Sequence, residues 1–150
     1  MGMKLMPDTL EEVLSFEGTF TPQKSDSIFI KGNVPSSKNN KQVFAKYGKV
    51  FFTDSPQTKR YRKETVEQYR INRDIFLSLT KDKPLPLNVR FKFTRDTRRL
   101  FDFVNMAQVV LDLMTEYGWI SDDNYTIINP SFDPVVIIDK INPGVKIKVL

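Results

Sequence analysis

A chain of 150 residues, 40% hydrophobic and 27% charged, has the size and make-up of one globular domain with a real core. It has no cysteine and no histidine, which excludes disulfides, thiolate or imidazole catalysis and ordinary zinc sites, so any acid–base or metal chemistry rests on oxygen donors, lysine, arginine or water. The net charge of +5 is unevenly placed: +8 from Lys31 to Lys63, +4 from Arg90 to Arg99, and −5 from Leu100 to Asp123.

The first two blocks suit a polyanion, and the third would repel one unless metal ions sit between; separate solvated faces are the alternative. No apolar run approaches the ~20 residues of a membrane span. The stretch MGMKLMPDTLEE lacks the apolar core of a signal peptide. A cytoplasmic location is expected.

In chain order, residues 1–25 are acidic and read as an appended arm, with a short helix around Thr9–Leu14, ahead of a domain over 26–150. SIFIKGNV (27–34) alternates as a strand. PSSKNNKQ (35–42) is a polar loop, and VFAKYGKVFF (43–52) a hairpin turning at Tyr47-Gly48. Asp54 or Ser55 caps a helix with Pro56 at its first position, reaching Leu79. Its buried side is expected from Tyr61, Tyr69, Ile75, Phe76 and Leu79, and its exposed basic side from Lys59, Arg62, Lys63, Arg70 and Arg73. NVRFKFTR (88–95) sets Val89, Phe91 and Phe93 against Arg90, Lys92 and Arg95, one face buried and one basic.

A second helix is predicted over Phe103–Tyr117, ended by Gly118. Met106, Val110, Leu113 and Tyr117 form its apolar stripe, with Phe103, Ala107 and Met114 beside it; Asn105, Gln108, Asp112 and Glu116 form the polar side. Short strands follow near Tyr125–Ile128 and Val135–Ile141, then VKIKVL. The order implies an α+β fold, a mixed β-sheet packed against two main helices.

Asp102 stands where a helix N-cap is expected and can bind backbone N–H groups there; Asp122-Asp123-Asn124 can be a solvated turn. The combination also suits a metal. Magnesium takes one or two carboxylates plus waters and a substrate phosphate, and phosphodiester hydrolysis needs a cation on the phosphoryl oxygen and an activated water.

The stretch RRLFDFVNMAQVVLDLMTEYGWISDDN (98–124) resembles the RusA-type Holliday junction resolvases, small phage and bacterial endonucleases. Asp102 matches their first aspartate, Asn105 their asparagine, Asp112 their mid-helix acid, and YGWISDDN (117–124) their glycine and acid pair. IKGNVPSSKNN (30–40) resembles their early strand and loop, and the likeness spans Ile28 to Ile141. Val104 departs from the pattern's second aspartate and Gln108 from its lysine.

The resemblance implies a Mg²⁺-dependent, structure-selective endonuclease on four-way junction DNA, phage-related and homodimeric. It implies Asp102 and Asp123 as metal ligands and Asp122 as auxiliary, with Asn105 and Gln108 behind them. Lys38, Asn39, Asn40, Lys41, Lys59, Arg62 and Lys63 are the expected DNA contacts. The departures leave a second reading: a DNA-binding or interaction module that has lost the chemistry. A helix from 103 to 117 is also about 22 Å long at ~1.5 Å per residue, so Asp102 and Asp123 start from opposite ends of it. Either 118–123 runs back along the helix, or the helix is shorter, or a second subunit completes the site.

Overall fold

The computed structural model describes residues 25–36, 41–46 and 48–150. Residues 1–24 of the expected arm, and Lys38, Asn39 and Asn40, lie outside them. The elements are β1 (Ser27–Lys31), β2 (Lys41–Lys46), β3 (Lys49–Asp54), α1 (Pro56–Thr80), β4 (Leu87–Arg95), α2 (Phe103–Glu116), β5 (Ile128–Phe132), β6 (Ile137–Ile138) and β7 (Gly144–Val149).

β4 organises the main sheet, whose strand order is β1-β7-β4-β5. β7 runs antiparallel to both β1 and β4, with Ile147 opposite Ile28 on one side and Phe91 on the other. β5 and β6 pair parallel with successive parts of β4, Leu87 against Ile128 and Thr94 against Ile137. The orientation is therefore mixed, and with the two helices this is the α+β fold that the element order predicts. The β2–β3 hairpin forms its own sheet, with Lys46 opposite Lys49 and Gly48 at φ +73° in the tight turn between them.

The sheet is two-faced because its strands alternate. Val89, Phe91 and Phe93 on β4, Val145 and Ile147 on β7, and Ile28 and Ile30 on β1 are all buried. The Phe93 ring meets Phe103 of α2 at 6.2 Å, which places that helix against the buried face. Each such side chain contributes about 1.5–3 kcal/mol by leaving water.

Ser55 caps α1, its hydroxyl accepting from Thr58 N at 3.3 Å, and Pro56 takes the first helical position, where no N–H is required. The helix buries Thr58, Tyr61, Thr65, Tyr69 and Phe76, a single stripe. Ile75, expected in the core, is exposed: at 100° per residue it falls off the stripe that Tyr69 and Phe76 share. The Tyr61 and Tyr69 hydroxyls bond each other at 3.0 Å, and burial pushes both above the usual tyrosine range.

α2 ends one residue before the predicted limit. Gly118 adopts φ +79°, and a Cβ there would lie 2.9 Å from Arg73 Nε, so both conformation and space call for glycine. Trp119 is then driven into the core. Its Nε1 donates to Tyr69 O at 2.7 Å, and its ring lies 5.0 Å from Phe76 and 5.5 Å from Tyr69. The strand expected at Tyr125–Ile128 begins instead at Ile128. Asn124 accepts from Thr126 N at 2.9 Å, and that turn occupies the preceding residues.

Candidate active site

Asp102 is the N-cap of α2. Its backbone is extended (φ −120°, ψ 120°) and its Oδ1 accepts from Val104 N at 2.8 Å and Asn105 N at 3.4 Å. These bonds satisfy donors that the helix cannot, and the negative charge opposes the positive end of the helix dipole. The capping role open at the level of sequence is thus present; both bonds fall on one oxygen. Asn105 follows a turn later, its Nδ2 buried without a partner.

Further along this face, Gln108 Nε2 donates to Asp112 Oδ1 at 2.8 Å and approaches Asp123 Oδ2 at 3.4 Å. Asp123 therefore lies well back from the end of the helix. Of the three arrangements weighed above, the segment after Gly118 runs back beside α2, because Trp119 and Ile120 are buried at its start. Gln108, Asp112 and Asp123 meet, while Asp102 stays at the head of the helix. Among the described residues, no three acidic side chains form a group able to hold a metal ion. Asp112 and Asp123 both accept from Gln108 Nε2, so they are two hard oxygen donors about one amide nitrogen; a magnesium ion would fit between them, completed by waters and a phosphate, only in place of that amide.

Asp122 serves its own turn. It accepts from Asn124 Nδ2 at 2.9 Å and from Asp123 N at 2.8 Å, and these bonds, Asn124's first, hold its carboxyl below the usual range. Lys59 and Lys63 are exposed on α1, as expected. Arg62 is half-buried in ion pairs: Nη1 lies 2.7 Å from Glu116 Oε1, and Nε lies 3.1 Å from Asp54 Oδ2 without hydrogen-bond alignment. Burial alone would lower the Arg62 pKa, but the Glu116 bond and the charges of Glu116, Asp54 and Asp112 raise it overall. In return the Arg62 bond holds Glu116 below its ordinary value. Lys41 opens β2 opposite Asp54.

Arg95 differs most from its expected place. Its position, two past Phe93, puts it on the buried face rather than the basic one, and it is 5% exposed. Nη1 donates to Val34 O and meets Met106 Sδ at 3.2 Å, Nη2 reaches Ser36 Oγ at 3.4 Å, and the guanidinium lies 5.3 Å from the Phe101 ring centre. Nε has no partner. Burial lowers its pKa, opposed by Asp96. Among the described residues, no carboxylate forms an ion pair with it. It lines a cleft of about 1130 Å³ together with Arg60, Arg99, Asp96 and Asp102. A buried guanidinium without a carboxylate favours an incoming anion. The signal in the sequence was the odd-numbered register of β4.

Compared with known protein families and with curated proteins, the chain matches no family model and no curated sequence. No helix of the described residues is long and apolar enough to cross a membrane.

Proposed function

We propose that this protein is a RusA-like, Mg²⁺-dependent endonuclease of four-way junction DNA. The observation that carries the reading is the meeting of Asp112 and Asp123 on α2's polar face, with Asp102 at the head of the same helix. The aspartates that the RusA likeness singles out are all on or beside one helix. Asp123 and Asp112 would hold the metal, with Asp102 outside that pair at the head of the helix, an outer partner rather than a ligand. An ion held there would supply Lewis-acid polarisation of the phosphoryl oxygen and would make water a better nucleophile. Arg95, Arg99 and Arg60 bind the phosphates entering the cleft, and Lys59 and Lys63 hold the flanking backbone, contacts that position DNA without reading its sequence. The enzyme acts as a cytoplasmic homodimer of phage type, since a two-fold pair of sites matches a junction's near two-fold symmetry.

Gln108 favours one alternative. Its amide already ties Asp112 to Asp123, and Val104 leaves the neighbouring position uncharged, which favours a DNA-binding module without cleavage as the second reading. A cleavage assay on a synthetic four-way junction, with and without Mg²⁺, separates the two: metal-dependent paired nicks support the endonuclease, and binding without nicks supports the module.

A further inference from the structure

The strand residues that point away from the helices form another surface. On β4, Arg90 and Lys92 alternate with buried Val89, Phe91 and Phe93; on β7, Lys146 and Lys148 alternate with buried Val145, Ile147 and Val149. The register places Arg90 opposite Lys148 and Lys92 opposite Lys146. Directly opposed side chains on one face have Cβ atoms about 5 Å apart, and alternate residues along a strand are about 7 Å apart. Four cations therefore crowd one small block. β1 extends it, with Phe29 opposite Lys146 and Lys31 opposite Gly144. Phe29 is 41% exposed and lies over Gly144, where any Cβ would collide with its ring. Two acids approach: Asp133 is 3.4 Å from Lys92 and Asp26 is 3.9 Å from Lys148.

Like charges directly opposite each other destabilise a strand pair, and threonine or serine would serve a solvated strand better. The arrangement is a cost to the isolated fold that a bound polyanion offsets. We propose that this face of the sheet, which neither α1 nor α2 covers, binds the sugar–phosphate backbone of nucleic acid, with Arg90, Lys92, Lys146 and Lys148 taking phosphates and Phe29 offering a ring to an unpaired base. A second copy of the chain fits poorly, because a two-fold contact here sets cations against cations. An anionic membrane fits less well than nucleic acid, since the half-exposed apolar side chains on this face, Phe29, Ile137 and Leu150, are scattered over β1, β6 and the end of β7 rather than gathered into one apolar face for insertion. The surface lies across the sheet from α2, so it stands apart from the endonuclease reading and fails or holds separately from it.

The test is anisotropy of a labelled thymidine oligonucleotide and a labelled duplex, titrated with the full chain across salt concentrations, beside co-sedimentation with phosphatidylserine vesicles. Arg90→Gln/Lys148→Gln and Lys92→Gln/Lys146→Gln should each lower the duplex salt slope by about 2, at about 0.9 per lost phosphate contact. Both should melt no lower than wild type. Arg90→Lys/Lys148→Arg should keep the wild-type slope. Unchanged slopes in both glutamine pairs overturn the proposal. So does an equal loss in the charge-retaining pair, which marks a structural effect, or a face that captures vesicles and not DNA.

Discussion

The polar face of α2 and the outer face of the sheet are both products of simple periodicity, yet they hold charge in opposite ways. On α2 each acid has a local answer: Asp102 takes backbone N–H groups, Asp112 and Asp123 share the Gln108 amide, and Glu116 takes Arg62. On the sheet, cations face cations across the ladder, with acids only at the border. A helix lets residues three and four apart, or a returning segment, supply a partner. A strand pair fixes its neighbours by register, so opposed charge there is met only from the border, by Asp133 and Asp26. The first face is answered within the molecule; the second is answered only at its border.

The largest expected effects break the α2 face. Asp123→Asn and Asp102→Asn should each reduce junction cleavage by at least about a hundredfold, since even outer-shell partners of a metal cost ~10–100-fold. Junction affinity should stay within a few-fold, as the basic surfaces supply it. Asn caps a helix as well as Asp, so Asp102→Asn removes charge while preserving the fold; gel assays of binding and nicking with the same preparation check this. Full cleavage by both variants would remove these residues from the site. Asp102→Ala loses the cap as well and should cost a further ~1 kcal/mol of stability in denaturant melts.

These two roles of Asp102 show how far the sequence reaches. Caps and helix limits were legible because they rest on local signals: Ser55 before Pro56, Asp102 before an apolar stripe, Gly118 after it. The apolar side of α2 followed from its period. Arg95 was misplaced by reading composition ahead of register, since a residue two past Phe93 must share its face. The return of Asp123 to Gln108 had no local signal. It depends on Trp119 docking against Tyr69 and Phe76, residues far away in the chain. Arg62 likewise looked like its neighbours on α1, and only the packing of α1 beside Asp54 and Glu116 separates it from Lys59 and Lys63.

That separation yields a smaller effect. Arg62→Gln should cost at most ~1 kcal/mol, because its partners are half-exposed. Glu116 has a folded pKa depressed below its usual 4.5, so its contribution is present above that value and lost as the pH falls through the folded one. The variant should therefore show a flatter acid limb in a plot of melting temperature against pH. Its DNA salt slope should match wild type, whereas Lys59→Gln/Lys63→Gln should lower the slope by about 2. Equal slopes for the two variants would mean that Arg62 leaves its ion pairs to meet phosphate.

The smallest expected effect concerns Val104, and helix geometry changes the reason for it. An extended entry into the helix would place position 104 beside Asp102 as on a strand, but α2 is already helical at Phe103. Position 104 instead lies one turn before Gln108, at the i, i+4 spacing that makes neighbours on one face, and Gln108 stands in the same relation to Asp112. Val104 is 66% exposed, so an aspartate there needs no burial of charge. It would sit in the first turn of the helix, where the dipole favours an acid by ~0.3–1 kcal/mol, partly cancelled by the nearby Asp102. Val104→Asp should therefore leave the melting temperature within a degree or two of wild type in metal-free buffer. With Mg²⁺ it should melt higher, because a third carboxylate on this face strengthens binding to the folded state alone. Adding Gln108→Lys supplies an acid-to-lysine pair at i, i+4, worth ~0.2–0.5 kcal/mol, and replaces the amide between Asp112 and Asp123 with a cation. If the double variant cleaves junctions faster than wild type, the face of α2 is a nuclease site weakened at two positions. If it folds, melts as expected and gains nothing in Mg²⁺ binding or cleavage, the acids of α2 organise the helix and its returning segment, and the chemistry is absent.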